Sequence, residues 1–103
     1  MIARTWRGRV PRRHADGFEE HLMTTGVAQS AGLPGHAGAH ILRKETGDEV
    51  EFVLITYWTS WEAVQRFAGV DVSVAVLYPG DENFELIPSK TVDHHQVVFA
   101  SQP

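Results

Sequence analysis

Polar and apolar positions alternate from Ile2 to Val10, the period of a strand with two different faces. Ile2, Arg4, Trp6, Gly8 and Val10 share one face; Ala3, Thr5, Arg7 and Arg9 share the other. Pro11 ends the strand. The spacing then turns helical from about Arg13 to Thr25, with Phe18, Leu22 and Met23 as the apolar stripe and Gly26 as the stop. Gly26 to Gly38 is rich in Gly, Ala and Ser and contains Leu33-Pro34-Gly35, so a connecting loop able to gate a site is expected there. Strand spacing returns from about Gly38 to Lys44. Glu45-Thr46-Gly47-Asp48 reads as a hairpin turn, and Glu49 to Trp58 as the third strand. Thr59 with Glu62 fits a capping box for a helix from Ser60 to Ala68, which Gly69 closes. A short helical stretch is expected from about Asp71 to Leu77, followed by the turn Tyr78-Pro79-Gly80-Asp81. Pro88 punctuates an extended piece, and Thr91 to Ala100 completes the pattern as the last strand.

This order, βαββαβ, predicts an α+β chain of ferredoxin-like architecture: a four-stranded antiparallel sheet with helices on one face. Phe52, Leu54 and Trp58 alternate with Val53, Ile55 and Tyr57, so the third strand is apolar on both sides. Helices on one face leave the second apolar face uncovered, and a second copy of the chain is the simplest cover. A homodimer is therefore expected.

Composition narrows the function classes. At 103 residues, the chain reads as one domain spanning 1–103 with room for one modest core. A formal net charge of −4 argues against a nucleic-acid partner. Of the 9 basic residues, Arg4, Arg7, Arg9, Arg12 and Arg13 crowd the first strand and its exit, where a solvated edge explains them best. The absence of cysteine removes thiolate nucleophiles, disulfides and Cys-based metal sites. No apolar run has membrane-spanning length and no signal segment is visible, so no membrane partner and a cytoplasmic location are the default expectations.

Three blocks carry a resemblance: Ile2 to Pro11; Trp58-Thr59-Ser60-Trp61-Glu62-Ala63-Val64-Gln65-Arg66-Phe67-Ala68-Gly69; and Val92-Asp93-His94-His95-Gln96-Val97-Val98. Together they resemble the antibiotic biosynthesis monooxygenase superfamily, and within it a bacterial branch. The resemblance implies a dimeric α+β barrel, two sheets packed face to face, with a pocket between each sheet and its own helices. It implies activities that range from cofactor-free oxygenation of phenolic polyketides to haem degradation. For haem the residues argue the other way. Where haem-degrading members carry an Asn, an aromatic and a haem-ligating His, this chain carries Trp6, Phe67 and a position at or next to Val76, and Val cannot ligate iron.

The reading that follows is a cofactor-independent monooxygenase acting on a small planar aromatic such as a phenol, quinol or polyketide-like ring. Such a substrate, once deprotonated, can itself pass an electron to oxygen, so the protein need supply only a dry pocket, a base and a cation. No cofactor and no metal are called for. His94 or His40 is the candidate base, on strands expected to flank the cavity. Arg4 is the candidate anion stabiliser, with pairing to a carboxylate as its structural alternative. Trp6, Trp58 and Phe67 are the candidate walls. Tyr78 is a candidate donor at the cavity mouth, or a packing residue beneath the loop. His14 and His21 are read as solvated, and His36 and His40 do not have ligand spacing for a metal. Two other classes stay open: a non-catalytic dimeric protein that binds a small apolar molecule or serves as a stress or accessory protein, and a tetrapyrrole binder using His40 or His94.

Overall fold

Strand formation follows the sequence pattern closely on the first three strands. In the computed structural model, which describes residues 1–101, β1 (Ile2–Pro11), β2 (His36–Thr46) and β3 (Glu49–Trp58) form an antiparallel sheet with β1 and β3 side by side. The register sets Ile2 opposite Trp58, Trp6 opposite Leu54 and Val10 opposite Val50, so apolar residues of both strands meet on one face. The β2–β3 hairpin pairs His40 with Ile55 and Leu42 with Val53.

The fourth sheet position is shared by two short pieces, where one strand was expected. β4 (Ile87–Pro88) pairs with the far end of β1, and β5 (Asp93–Gln96) pairs with its beginning. Pro88 has no N–H to extend the ladder. The chain between the two pieces turns away to bond the 73–75 segment instead, through Ala75 N–H to Lys90 O and Val92 N–H to Ser73 O. The same bonds explain why Asp71 to Leu77 is not the expected helix: its backbone groups are engaged sideways. β5 ends at Gln96, short of the expected Ala100, and Val97 N–H still meets Met1 O at 2.9 Å.

The helices also correct the reading at two places. A 3₁₀ turn at Arg12–His14 leads into α1 (Ala15–Leu22), and the helix does not stop at Gly26. It widens into a π-turn over Met23–Val27 and continues as α2 (Ala28–Ala31), so much of the expected gating loop is helical. Gly26 serves close approach rather than termination: a Cβ there would sit 2.8 Å from Leu54 Cδ2. The third helix, α3 (Trp61–Ala68), is capped by Ser60, whose Oγ accepts from Ala63 N–H at 3.1 Å, and not by Thr59.

All three helices lie over one sheet face. Trp6, Val10, Phe18, Leu22, Val50 and Phe52 form the main core, and Ile2, Trp58, Ala63 and Val64 a second cluster beneath α3. The opposite face carries Ala3, Thr5, Leu42, Val53, Ile55 and Tyr57 in neighbouring rows, with Leu42 half exposed.

Candidate functional site

The cavity arises where the apolar sheet face, the π-turn and the 76–81 loop do not quite meet. Arg4, Trp6, Leu54 and Thr56 form its floor, and Phe18, Leu22 and Gly26 one wall. Phe67, Val92 and the stretch carrying Val76, Leu77, Tyr78 and Asp81 complete it. Its enclosed volume is about 40 Å³, within a concavity of about 500 Å³ that includes the open mouth. An enclosed apolar cavity that holds benzene measures ~150 Å³, so a ring needs some outward movement of the wall.

Arg4 is the principal charge in this space. Strand alternation aims it at the helices, and it is only 4% exposed. Its Nη1 donates to Val72 O at 2.5 Å and contacts His94 Nε2 at 3.0 Å; its Nη2 donates to Val74 O at 3.0 Å. The guanidinium lies 5.7 Å from the centre of the Phe67 ring. Every hydrogen-bond partner is neutral, and among the described residues no carboxylate forms an ion pair with it. Three of the five N–H groups are engaged, which leaves one on Nη2 and the one on Nε without a protein acceptor among the described residues. Burial pulls the guanidinium below its ordinary pKa, and nearby Tyr78 opposes that shift.

His94 is placed differently from the sequence reading. Arginine has no acceptor, so His94 Nε2 must present its lone pair to Arg4, with the proton on Nδ1. Burial and then Arg4 lower the imidazole's pKa, which keeps it neutral. Its ring meets Trp61 edge-on at 5.0 Å and does not line the cavity. It orients Arg4; the lone pair that a base would use is taken.

His40 is a plainer correction. It is exposed on the opposite sheet face, its Nδ1 3.1 Å from Tyr57 Oη, with the whole sheet between it and the cavity. The shift follows from the β2 register, which sets His40 beside Ile55 and not beside Leu54. Trp58 is fully buried, stacked on Phe67 at 5.2 Å and bonded through Nε1 to Thr56 Oγ1, so it supports the wall without lining it. Trp6 and Phe67 do line the space, and Trp6 is anchored by its Nε1 to Ser89 O at 3.2 Å. Tyr78 lines it as well. Burial and then Asp81 raise the phenol's pKa against the pull of Arg4, so it stays a protonated donor.

Two residues escaped the sequence reading. His21, expected in solvent, is mostly buried, and its Nε2 lies 2.7 Å from Asp81 Oδ1. Asp81 faces the cavity, while its Oδ2 accepts from Tyr78 N–H at 2.9 Å. The signal was present: His21 falls between Phe18 and Leu22 on the stripe that the helix turns inward.

The fold has known counterparts. The chain superposes with TM-score 0.63 and 21% identity, over 100% of both chains, on a point mutant of MhuD with two manganese protoporphyrin IX bound per active site. The heme-degrader MhuD from Mycobacterium tuberculosis with two hemes bound gives 0.61 and 20% over 99% of this chain and 100% of that one. A putative antibiotic biosynthesis monooxygenase from Bacillus cereus gives 0.62 and 20% over 100% and 95%. These likenesses establish a common fold. No curated protein sequence matches the chain. The profile described as "Antibiotic biosynthesis monooxygenase" matches residues 1–73, from β1 through α3 and into the segment whose carbonyls hold Arg4, and the chain therefore belongs to that family.

Proposed function

We propose that the cavity binds a small planar aromatic as its anion and that the protein is a cofactor-independent monooxygenase of phenols, quinols or related rings. The observation that carries this reading is the buried Arg4 guanidinium, with no carboxylate partner among the described residues and with N–H groups left for a ligand. Buried charges are normally paired, and an anionic ligand supplies the missing partner. Trp6 and Phe67 line the cavity beside it as apolar aromatic walls, and Tyr78 adds a hydrogen-bond donor. For a phenol carrying hydrogen at the reacting carbon, the balance is one dioxygen consumed, one oxygen atom retained as a quinone carbonyl and one released as water. The electrons come from the ring. Arg4 holds the anionic oxygen while charge moves out of it.

Haem does not fit this cavity. Among the described residues no imidazole, thiolate or thioether lines it, and Val76 stands on the wall. The one phenol among those lining residues, Tyr78, is held protonated, which opposes ligation. The reading also includes a homodimer, supported by the open apolar rows around Val53 and Ile55 on the sheet face away from the helices.

An oxygen electrode tests the reading with a panel of hydroxynaphthalenes and hydroquinones. Oxygen uptake matched one to one by quinone, and lost in Arg4→Met, is the expected result. Tight binding without uptake by any member supports the non-catalytic alternative. A Soret band on haem titration overturns the exclusion of haem.

A further inference from the structure

Deprotonating the ring requires an acceptor, and His94 Nε2 is already committed to Arg4. We infer that the Asp81–His21 pair is the proton acceptor of this cavity. The inference rests on the proposed reading of the cavity as a site for an acidic aromatic.

The pair is built into the wall of the cavity that Arg4 floors. Asp81 lines the cavity, and both side chains are largely shielded, at 14% exposed for His21 and 16% for Asp81. The imidazole cannot swing away easily. Phe84 lies over it with ring centroids 5.0 Å apart and planes 36° off parallel, and Phe18 lies 5.9 Å away on the core side. Gly80, in a left-handed conformation at φ 97°, brings the turn onto the ring edge; a Cβ there would sit 3.2 Å from His21 Cε1. Asp81 is fixed in turn by the Tyr78 N–H on its second oxygen. A carboxylate so held still has lone pairs for a ligand hydroxyl.

The step is a proton transfer and needs no further reactant. The substrate O–H bond breaks and its electron pair stays on the substrate oxygen, next to the unengaged N–H groups of Arg4. The proton joins the one already shared by the carboxylate and the imidazole. The site's total charge is unchanged, because the anion forms beside the guanidinium as the carboxylate is neutralised. Asp81 is the catalytic residue here, since it faces the ligand; His21 is a positioning residue that acts through it.

The test uses 4-nitrophenol, whose phenolate absorbs in the visible, with oxygen excluded and the buffer held below the phenol's own pKa. Binding is followed by absorbance, and proton exchange with the medium by calorimetry in two buffers of different ionisation heat. The wild type is expected to show the phenolate band with almost no proton released. Asp81→Asn, isosteric and still an acceptor for Tyr78 N–H, is expected to lose the band or to release a full proton for each phenolate formed. Asp81→Glu restores the wild-type pattern in part. His21→Leu, a second route to the same pair, weakens the band severalfold while phenol binding persists; thermal melts establish that each variant is folded. A wild-type band and proton count in both Asp81→Asn and His21→Leu overturn the inference. Failure of the wild type to bind the phenol at all overturns the reading of the cavity itself, a result distinguished by missing affinity rather than altered ionisation.

Discussion

Replacing Arg4 with Met separates binding from stability. In the free protein the change has two opposing effects. It relieves the desolvation of a buried guanidinium, a penalty of several kcal/mol when no counter-ion offsets it. It also strips a donor from Val72 O, Val74 O and His94 Nε2. The segment bearing both carbonyls is partly open to solvent, with Val74 48% exposed, so water can replace much of what is lost. At about 0.5–1.5 kcal/mol for each of the three net hydrogen bonds, the loss is about 1.5–4.5 kcal/mol, close to the relief. The expected outcome is a urea midpoint near that of the wild type, within about 1–2 kcal/mol, read by tryptophan fluorescence at fixed protein concentration and with an unchanged m-value. NMR titration of His94 gives a companion readout. Loss of the neighbouring cation removes one cause of its lowered pKa, so the pKa moves upward. Breaking an already neutralised buried pair costs about 3–5 kcal/mol. A loss of that size in Arg4→Met would mean that the guanidinium already has an anionic partner in the free protein, and would refute the argument that the cavity awaits one.

Gly26→Ala should destabilise despite the better helix propensity of Ala. The gain of about 1 kcal/mol is outweighed by about 1–3 kcal/mol of overpacking where the new Cβ meets Leu54 Cδ2 at 2.8 Å, and thermal melts give the sign. Acid should weaken the fold through His36 and His94. Burial lowers the folded-state pKa of both, so the unfolded chain binds more protons, and stability present above pH ~6.5 declines as pH falls through that value toward the folded pKa values. The His36→Gln/His94→Gln double variant should flatten that slope in urea titrations between pH about 7 and 5. Ile55→Asp, on the face away from the cavity, should convert a dimer to monomer in analytical ultracentrifugation, whereas a wild-type monomer would contradict the assigned role of that face.

The sheet was legible because strand periodicity is local. Ile2 to Val10 and Glu49 to Trp58 each declare two faces, and their antiparallel register brings like faces together. Helix continuity through Gly26 was not legible. The sequence shows a glycine after a stripe, and only the third dimension shows Leu54 occupying the space of its missing side chain. The cavity divides the same way. Arg4, Trp6 and Phe67 follow from alternation and spacing. His40 misled because its strand enters through a register irregularity between His36 and Gly38, after which one residue of offset decides the face. Asp81 was invisible for another reason: it reaches His21 across 60 residues, and no local pattern records that pairing.

The central claim is that a buried, unneutralised cation selects an aromatic anion. The most direct measurement is isothermal calorimetry with a matched pair of similar shape, 2-naphthoate and 2-naphthamide, on the wild type and on Arg4→Met. A charge-assisted hydrogen-bond pair to Arg4 is worth about 2–3 kcal/mol, so the wild type should favour the anion by about 30- to 150-fold, and Arg4→Met should bind both ligands alike. Equal affinities in the wild type, or a preference for the anion that survives in Arg4→Met, would contradict the claim.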